Sequence, residues 1–282
     1  MSMESNGSTH KHSQLCVETI TFDAWNQFQQ FVGDTFADDC RYVFRGQRCD
    51  TWLLEPSIAR LMRNHGHLAT LDERQQAERV KQHYQEFQYA IRGRRGAHAP
   101  EVVGDYLWAL GQHFGLATPL LDWTMSPYVA AFFAFSESGT PQTEYRAVFA
   151  ISQPQVEQRS DQLLALGGFK DHVYFLSPMS DENPRLVNQG GLFSRLPIGI
   201  DLEAWVDKYA DPTWTKPTLL KMRIRDDQRN ASLRSLARMN INHLSVFPDL
   251  AGASLFCNLA LGQEQYALHL GTPRPQRVRI GR

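Results

Sequence analysis

Apolar residues recur at helical spacing in several parts of the chain. The clearest stretch is 71–91, where Val80, Tyr84, Phe87 and Ile91 form one stripe of a predicted amphipathic helix. A second helix is predicted after Ser126-Pro127, because serine is a favoured N-cap and proline suits the first helical position. Further helices are predicted over 22–32, 101–114, 161–165, 229–239 and 248–259, the last opening on a turn.

Shorter apolar runs predict strands at 41–44, 146–151, 173–176 and 219–224. The run at 219–224 alternates apolar and polar residues, which is typical of a half-buried strand. We expect Arg45-Gly46 to end the first strand. Helices come early and strands mostly late, which favours an α+β fold with one mixed or antiparallel β core flanked by helices. No glycine-rich dinucleotide fingerprint follows a strand and no P-loop is present, which disfavours a Rossmann domain.

The bulk composition is that of a globular protein. The chain has 282 residues, of which 42% are hydrophobic and 21% charged, with a formal net charge of −1. This length accommodates one large domain or two small ones. We predict a single domain over 16–265, a disordered tail over 1–15 and a C-terminal tail over 266–282. The balanced charge does not indicate a nucleic-acid-coating surface.

Cysteine usage and hydropathy indicate a cytoplasmic protein. The chain has four cysteines, Cys16, Cys40, Cys49 and Cys257. No C-x-x-C pair occurs among them, which favours reduced thiols and disfavours a zinc site, so no metal is expected. The apolar stretch at 129–135 is too short to span a bilayer. The first 13 residues are polar and lack the apolar core of a signal peptide, so no membrane partner is expected.

The segment Phe44-Arg45-Gly46-Gln47 is the first candidate for chemistry. A guanidinium at a strand end offers a rigid fork of donors that suits phosphate or carboxylate. Gly46 beside it would let a ligand approach the main chain. The alternative is that Arg45 forms a structural ion pair with Asp122.

The second candidate is the run from Leu120 to Ser126. Asp122 follows two leucines, so we expect it to be partly buried and to need partners. Thr124 and Ser126 lie near a helix N-terminus, whose free amides favour anions. Trp123 could stack on a flat ring. The alternative is that Asp122 and Thr124 cap the helix while Trp123 fills the core.

Two further residues complete the candidate set. His113 is the best general base by residue type, although a histidine at a helix end is also a common C-terminal cap. Gln189 begins a Gln-Gly-Gly sequence that reads either as part of a binding site or as a tight turn between strands.

These motifs together resemble the FRG domain, a bacterial family named for its Phe-Arg-Gly sequence. The resemblance extends from about residue 31 to 259. Its matching pieces are Phe44-Arg45-Gly46-Gln47, Pro56-Ser57-Ile58 with Arg60, Leu110, Gln112-His113, Gly115, the run Leu120 to Ser126, Ala130 to Ala134, Gln189 to Phe193 and Asn242 to Leu250.

A more distant resemblance is to the ADP-ribosyltransferase superfamily, which holds the NAD pyrophosphate with an Arg-Gly at a strand end. A Ser-Thr-Ser-like turn before a helix follows in those enzymes, and here Thr124-Met125-Ser126 precedes Ala130 to Ala134. The resemblance implies an ADP-ribosyltransferase-like fold with NAD as substrate. Arg45, with Gly46 and Gln47, would then hold the pyrophosphate. Thr124 and Ser126 would shape the ribose pocket beside Asp122, and Trp123 or Phe193 would pack on a ring.

The superfamily also uses a glutamate late in the sheet, and here this chain departs from the pattern. Gln189 stands in the corresponding segment and can bind a ribose hydroxyl without supplying negative charge. Glu182, a few residues upstream, is the substitute. Three functions therefore stay open. The first is an NAD-dependent transferase or glycohydrolase, a toxin or anti-phage effector with a macromolecular acceptor or water. The second is a module that binds a nucleotide or phosphorylated ligand without turnover. The third is a purely structural interaction domain.

Overall fold

One seven-stranded sheet organises the protein. The computed structural model describes residues 16–96, 101–177, 187–211 and 214–262. Its strands are β1 (Val17–Phe22), β2 (Tyr42–Gln47), β3 (Leu120–Thr124), β4 (Tyr145–Ser152), β5 (Tyr174–Leu176), β6 (Gly191–Arg195) and β7 (Leu219–Arg225). They lie in the order β1-β7-β4-β2-β3-β6-β5. The pair β1–β7 is parallel and the other neighbours are antiparallel.

Helices flank the sheet. Those within the described ranges are α1 (Trp25–Phe36), α2 (Ser57–Asn64), α3 (Gly66–Ala69), α4 (Glu73–Ala90), α5 (Asp105–His113), α6 (Pro127–Ser136), α7 (Gln153–Ala165), α8 (Leu202–Tyr209), α9 (Arg229–Arg238), α10 (His243–Val246) and α11 (Leu250–Gly262). Short 3₁₀ turns occur at Phe169–Asp171 and Asp226–Gln228. The predicted α+β class with a mixed β core is confirmed. None of the described helices is both long enough and apolar enough to cross a bilayer.

Two hydrophobic cores lie on opposite faces of the sheet. Successive side chains of a strand point to opposite faces, and β2 shows this directly. Phe44 belongs to the core shared with α1, α6 and α9. Its neighbour Val43 belongs to the core shared with α7 and α8, which includes the fully buried Trp205. Both faces of the central strands are therefore covered.

Helix α6 is held at both ends by side chains. Ser126 is its N-cap and accepts a hydrogen bond from the Val129 amide at 3.2 Å, with Pro127 in the first turn, as predicted. At the other end, the buried Arg146 donates to the main-chain oxygens of Ala134 at 2.6 Å and Glu137 at 3.1 Å. These carbonyls have no partner within the helix, and a cation there also suits the helix dipole.

Several predicted boundaries were wrong. Strands β1, β3 and β6 were missed, and the helix expected from residue 22 begins at Trp25 because Phe22 ends β1. The helix expected over 161–165 starts earlier, at Gln153. The helix expected over 101–114 runs from Asp105 to His113, so Val103 and Phe114 lie outside it and are exposed.

The first predicted strand was also too short. Arg45-Gly46 does not end β2, which continues to Gln47 and stays paired with β4 throughout. The predicted tails at 1–15 and 266–282 lie outside the described residues. The boundaries of the single domain remain a prediction.

Candidate functional site

A cleft opens where β2 and β3 diverge. In the described part of the chain these two strands pair at one position, Phe44 opposite Thr124. The cleft has a volume of about 400 Å³ and is lined from β2 by Phe44 to Gln47 and from β3 by Asp122 to Thr124. Helix α5 contributes Gln112 and His113. The fold therefore brings the two sequence motifs to the same place.

Arg45 lies in the gap between the two strands. Its side chain is 17% exposed, and its Nη1 donates to the Asp122 main-chain oxygen at 2.8 Å and to Asp122 Oδ2 at 3.3 Å. The ion pair foreseen as the structural alternative therefore exists. This ion pair leaves one guanidinium nitrogen unpaired. Arg45 Nε is buried and has no hydrogen-bond partner among the described residues.

The electrostatics around Arg45 favour an additional negative charge. Burial lowers the pKa of its guanidinium, and the neighbouring cation Arg60 lowers it further, while Asp122 opposes both effects. Arg60 lines the same cleft on α2, and its guanidinium makes no hydrogen bond or ion pair within the described ranges. An anion between the two arginines would relieve their repulsion.

Gly46 lines the cleft and has, in addition, a packing role that the sequence did not indicate, while ligand approach at Gly46 stays a prediction. A Cβ built on Gly46 would lie 1.8 Å from the Ala130 main-chain oxygen and 2.7 Å from the Ala134 amide nitrogen. The missing side chain therefore lets α6 lie directly on β2. This contact also explains why small residues line that side of α6.

Asp122 is more exposed than expected, since its side chain is 59% accessible. Its Oδ1 accepts a hydrogen bond from Gln112 Nε2 at 2.6 Å, and Gln112 in turn accepts one from the Thr118 hydroxyl. The carboxylate therefore faces the cleft and is positioned by α5 and β2 together. It does not cap α6, which was the alternative for this residue.

Trp123 and Phe193 are both buried. Trp123 is 3% exposed, and its Nε1 donates to Ser194 Oγ at 2.9 Å within the core. Phe193 is 4% exposed and packs in a buried cluster with Trp108. Both residues border the cleft, but this burial disfavours stacking on a ligand, and the stacking role stays a prediction. The core-filling alternative for Trp123 is what the structure shows.

The polar groups after β3 are used within the protein. Thr124 Oγ1 donates to the Gln189 main-chain oxygen at 2.5 Å and accepts a hydrogen bond from the Ser126 amide at 3.1 Å. The Gln189 side chain donates to the Val246 oxygen at 3.2 Å. Gly190 has φ of +54° and its amide donates to the Val187 oxygen at 3.1 Å, so Gln189-Gly190 forms a turn that leads from helical residues into β6. Thr124 and Gln189 line the cleft, whereas Ser126 acts as the helix cap.

The proposed proton-transfer residues have different outcomes. His113 is the last residue of α5 and lies half-buried at the cleft. Its ring packs edge-to-face on Phe114, with the ring centroids 4.8 Å apart. Glu182 lies outside the described residues. Asp122 and Glu137 are the carboxylate residues among the described ones that line the cleft, and each is ion-paired with an arginine.

Sequence reasoning assigned no role to several residues of the cleft. They are Arg48, Trp52, Arg60, Gln112, Phe133, Glu137 and Phe247. Arg60 and Gln112 belong to the pieces that match the FRG pattern, so their place in the motif was the available signal. Phe133 and Phe247 also belong to those pieces, but an aromatic side chain in an apolar run normally indicates core. Trp52 lies outside them.

The described residues show no metal or redox centre. They contain no group of three or more His, Cys, Asp or Glu side chains arranged to hold a metal ion. None of the four cysteines forms a disulfide bond.

Comparison with known proteins identifies the domain. Residues 40–143 match the FRG domain family, so the chain contains an FRG domain. The matched range includes Arg45, Asp122 and the other cleft residues up to Glu137, and it ends before Gln189. No curated protein and no solved structure matches the chain. The resemblance to ADP-ribosyltransferases is therefore not shown by any of these comparisons.

Proposed function

We propose that the cleft of this FRG domain binds the phosphate groups of a nucleotide, and that NAD is its ligand. The observation that carries the proposal is the buried, unpartnered Nε of Arg45, whose guanidinium also experiences the charge of Arg60. Buried polar groups in proteins are almost always hydrogen-bonded, so an exception at a cleft calls for a partner. Phosphate oxygens satisfy guanidinium donors better than neutral groups do.

Aromatic side chains form another part of the cleft and suit the rings of a nucleotide. Trp52, Phe133 and Phe247 line the cleft and are half-buried, so each presents part of its ring. Phe133 and Phe247 form an edge-to-face pair with centroids 5.8 Å apart. A pocket with apolar walls and a few convergent polar groups is typical of small-molecule sites. These rings take the role that the sequence assigned to Trp123 and Phe193.

Replacing Arg60 with alanine tests the phosphate site. Arg60 makes no hydrogen bond or ion pair with its side chain in the described structure, so Arg60→Ala should keep the melting temperature of the free protein. We expect NAD at millimolar concentration to raise the melting temperature of the wild type, since a ligand at 100 times its Kd adds roughly 2.7 kcal/mol. The shift should be lost in Arg60→Ala.

Arg74→Ala is the matched control for this measurement. It removes the same charge from an exposed position on α4, away from the cleft, and should leave the NAD-dependent shift intact. ATP and ADP-ribose serve as comparison ligands. No shift of the wild type with NAD would contradict the proposal.

A second candidate function is cleavage of NAD. The observation in its favour is the Asp122 carboxylate, which is exposed in the cleft beside Arg45. In such a reaction the bond between nicotinamide and ribose breaks, the bonding electrons leave with nicotinamide, and water or a macromolecular acceptor attacks the ribose carbon. A carboxylate would stabilise the oxocarbenium-like transition state. A role as a toxin or anti-phage effector would follow from such turnover.

Asp122→Asn tests cleavage separately from binding. We expect the wild type to release nicotinamide from NAD and Asp122→Asn to do so roughly 10²-fold more slowly, because the side-chain shape stays and the charge is lost. Glu137→Gln, which removes the other cleft carboxylate, should retain most of the activity. NAD should still raise the melting temperature of Asp122→Asn. If the wild type releases no nicotinamide, the cleft only binds its ligand.

A further inference from the structure

Unsatisfied polar atoms are concentrated at the end of β2. Seven buried side-chain polar atoms in the described part of the chain have no hydrogen-bond partner, and three of them belong to Arg45, Gln47 and Arg48. All three residues line the cleft. The atoms are two donors, Arg45 Nε and Arg48 Nε, and one acceptor, Gln47 Oε1. A complementary ligand therefore carries an anion and, close to it, a hydrogen-bond donor.

The orientation of the Gln47 amide is fixed by the protein. Gln47 is 5% exposed, and its Nε2 donates to the Leu53 main-chain oxygen at 3.2 Å. A flipped amide would set two acceptors against each other, so Oε1 remains the atom without a partner. Because this oxygen is also out of contact with bulk water, its donor must come from a bound group. Arg48 lines the cleft beside Gln47, where it pairs with Glu137 and lies over the Trp52 ring.

The spacing of Arg45 and Gln47 along β2 favours a ligand whose donor lies close to its anion. Arg45 and Gln47 are two residues apart on one strand, so their side chains leave the same face about 7 Å apart. In a nucleotide, the sugar hydroxyls lie one sugar ring away from the phosphate, whereas the amino group of the base is farther. A ribose hydroxyl therefore fits this spacing better than the base does.

We infer that Gln47 Oε1 accepts a hydrogen bond from a ribose hydroxyl of the ligand whose phosphate lies at Arg45 and Arg60. Gln47 then makes the affinity of the cleft depend on that hydroxyl. This inference rests on the proposed function, because it uses the same cleft and the same phosphate site.

The test compares NAD with analogues that lack one hydroxyl. Four analogues each replace one ribose hydroxyl by hydrogen, two on the adenosine side and two on the nicotinamide side. Nicotinamide hypoxanthine dinucleotide, which lacks the adenine amino group, completes the set. We expect calorimetric titration of the wild type to show roughly tenfold weaker binding for at least one deoxy analogue, the effect of losing one hydrogen bond to a buried group.

Two variants separate the role of Gln47 from general damage. In Gln47→Met, NAD itself should bind roughly tenfold more weakly and the preference for the hydroxyl should vanish. Gln155→Met is the matched control, because Gln155 on α7 also has a buried Oε1 without a partner but does not line the cleft. It should bind every analogue as the wild type does. If Gln47→Met does not fold, the analogue series on the wild type decides alone.

The outcomes distinguish this inference from the proposed function. Equal binding of NAD and all four deoxy analogues overturns the role of Gln47 and leaves the phosphate site intact. The role of Gln47 is also overturned if Gln47→Met keeps the preference for the hydroxyl. It is overturned as well if the hypoxanthine analogue is the only analogue that binds weakly. Failure of NAD to bind the wild type overturns both.

Discussion

Gly46→Ala is expected to lower the free energy of unfolding by at least about 3 kcal/mol. The new methyl carbon would lie 1.8 Å from the Ala130 oxygen, which belongs to the main chain of α6 and cannot rotate away. Overpacking in a core costs about 1–3 kcal/mol when side chains can adjust, and more when main chain must move. A thermal or urea unfolding curve measures the loss.

Gly33→Ala is the matched control for this substitution. Gly33 lies on the exposed side of α1, and a Cβ there would meet no atom within 4 Å. Alanine is the better helix former by about 1 kcal/mol, so this variant should be slightly more stable than the wild type. A Gly46→Ala protein as stable as the wild type would show that α6 does not lie directly on β2.

Arg146→Met is expected to cost about 3–5 kcal/mol of stability. The Arg146 side chain is 1% exposed, and its Nε forms an ion pair with Asp226 at 2.5 Å. The rest of its guanidinium holds the carbonyls at the end of α6. Methionine fills a similar volume but leaves the carboxylate and the carbonyls without their donor. Removing one partner of a buried ion pair typically has a cost of this size.

Arg225→Met provides the comparison for an exposed pair. The side chains of Arg225 and Asp227 are 37% and 55% exposed. Loss of this ion pair should therefore lower the free energy of unfolding by less than about 1 kcal/mol. Equilibrium unfolding of the two variants beside the wild type measures both effects. Equal stabilities of Arg146→Met and Arg225→Met would contradict the structural role given to Arg146.

The sequence predicted the larger elements because their local signals agree with the tertiary structure. The cap Ser126 with Pro127, the stripe of α4 and the alternation in β7 are local properties, and each led to the right element. β1 was missed although four of its six residues are β-branched, which favours a strand. Its parallel partner β7, some 200 residues later, could not be read from the local sequence.

The site was foreseen in outline and misjudged in detail for one physical reason. The motifs converge because Arg45 and Asp122 lie on neighbouring strands, which the order of strands alone determines. Which face of β3 borders the cleft depends on where β2 and β3 separate. That separation leaves no pattern in the local sequence. Asp122 was therefore expected to be partly buried and is 59% accessible, whereas Trp123, for which stacking and core filling were both open, lies in the core.

Calorimetric titration of NAD into the wild type and Arg60→Ala tests the central claim most directly. The account predicts saturable binding with one site per chain in the wild type, and at least roughly tenfold weaker binding in the variant, since hydrogen bonds to charged groups contribute about 1.5–3 kcal/mol. Equal affinity in both proteins, or no heat of binding in the wild type, would contradict it.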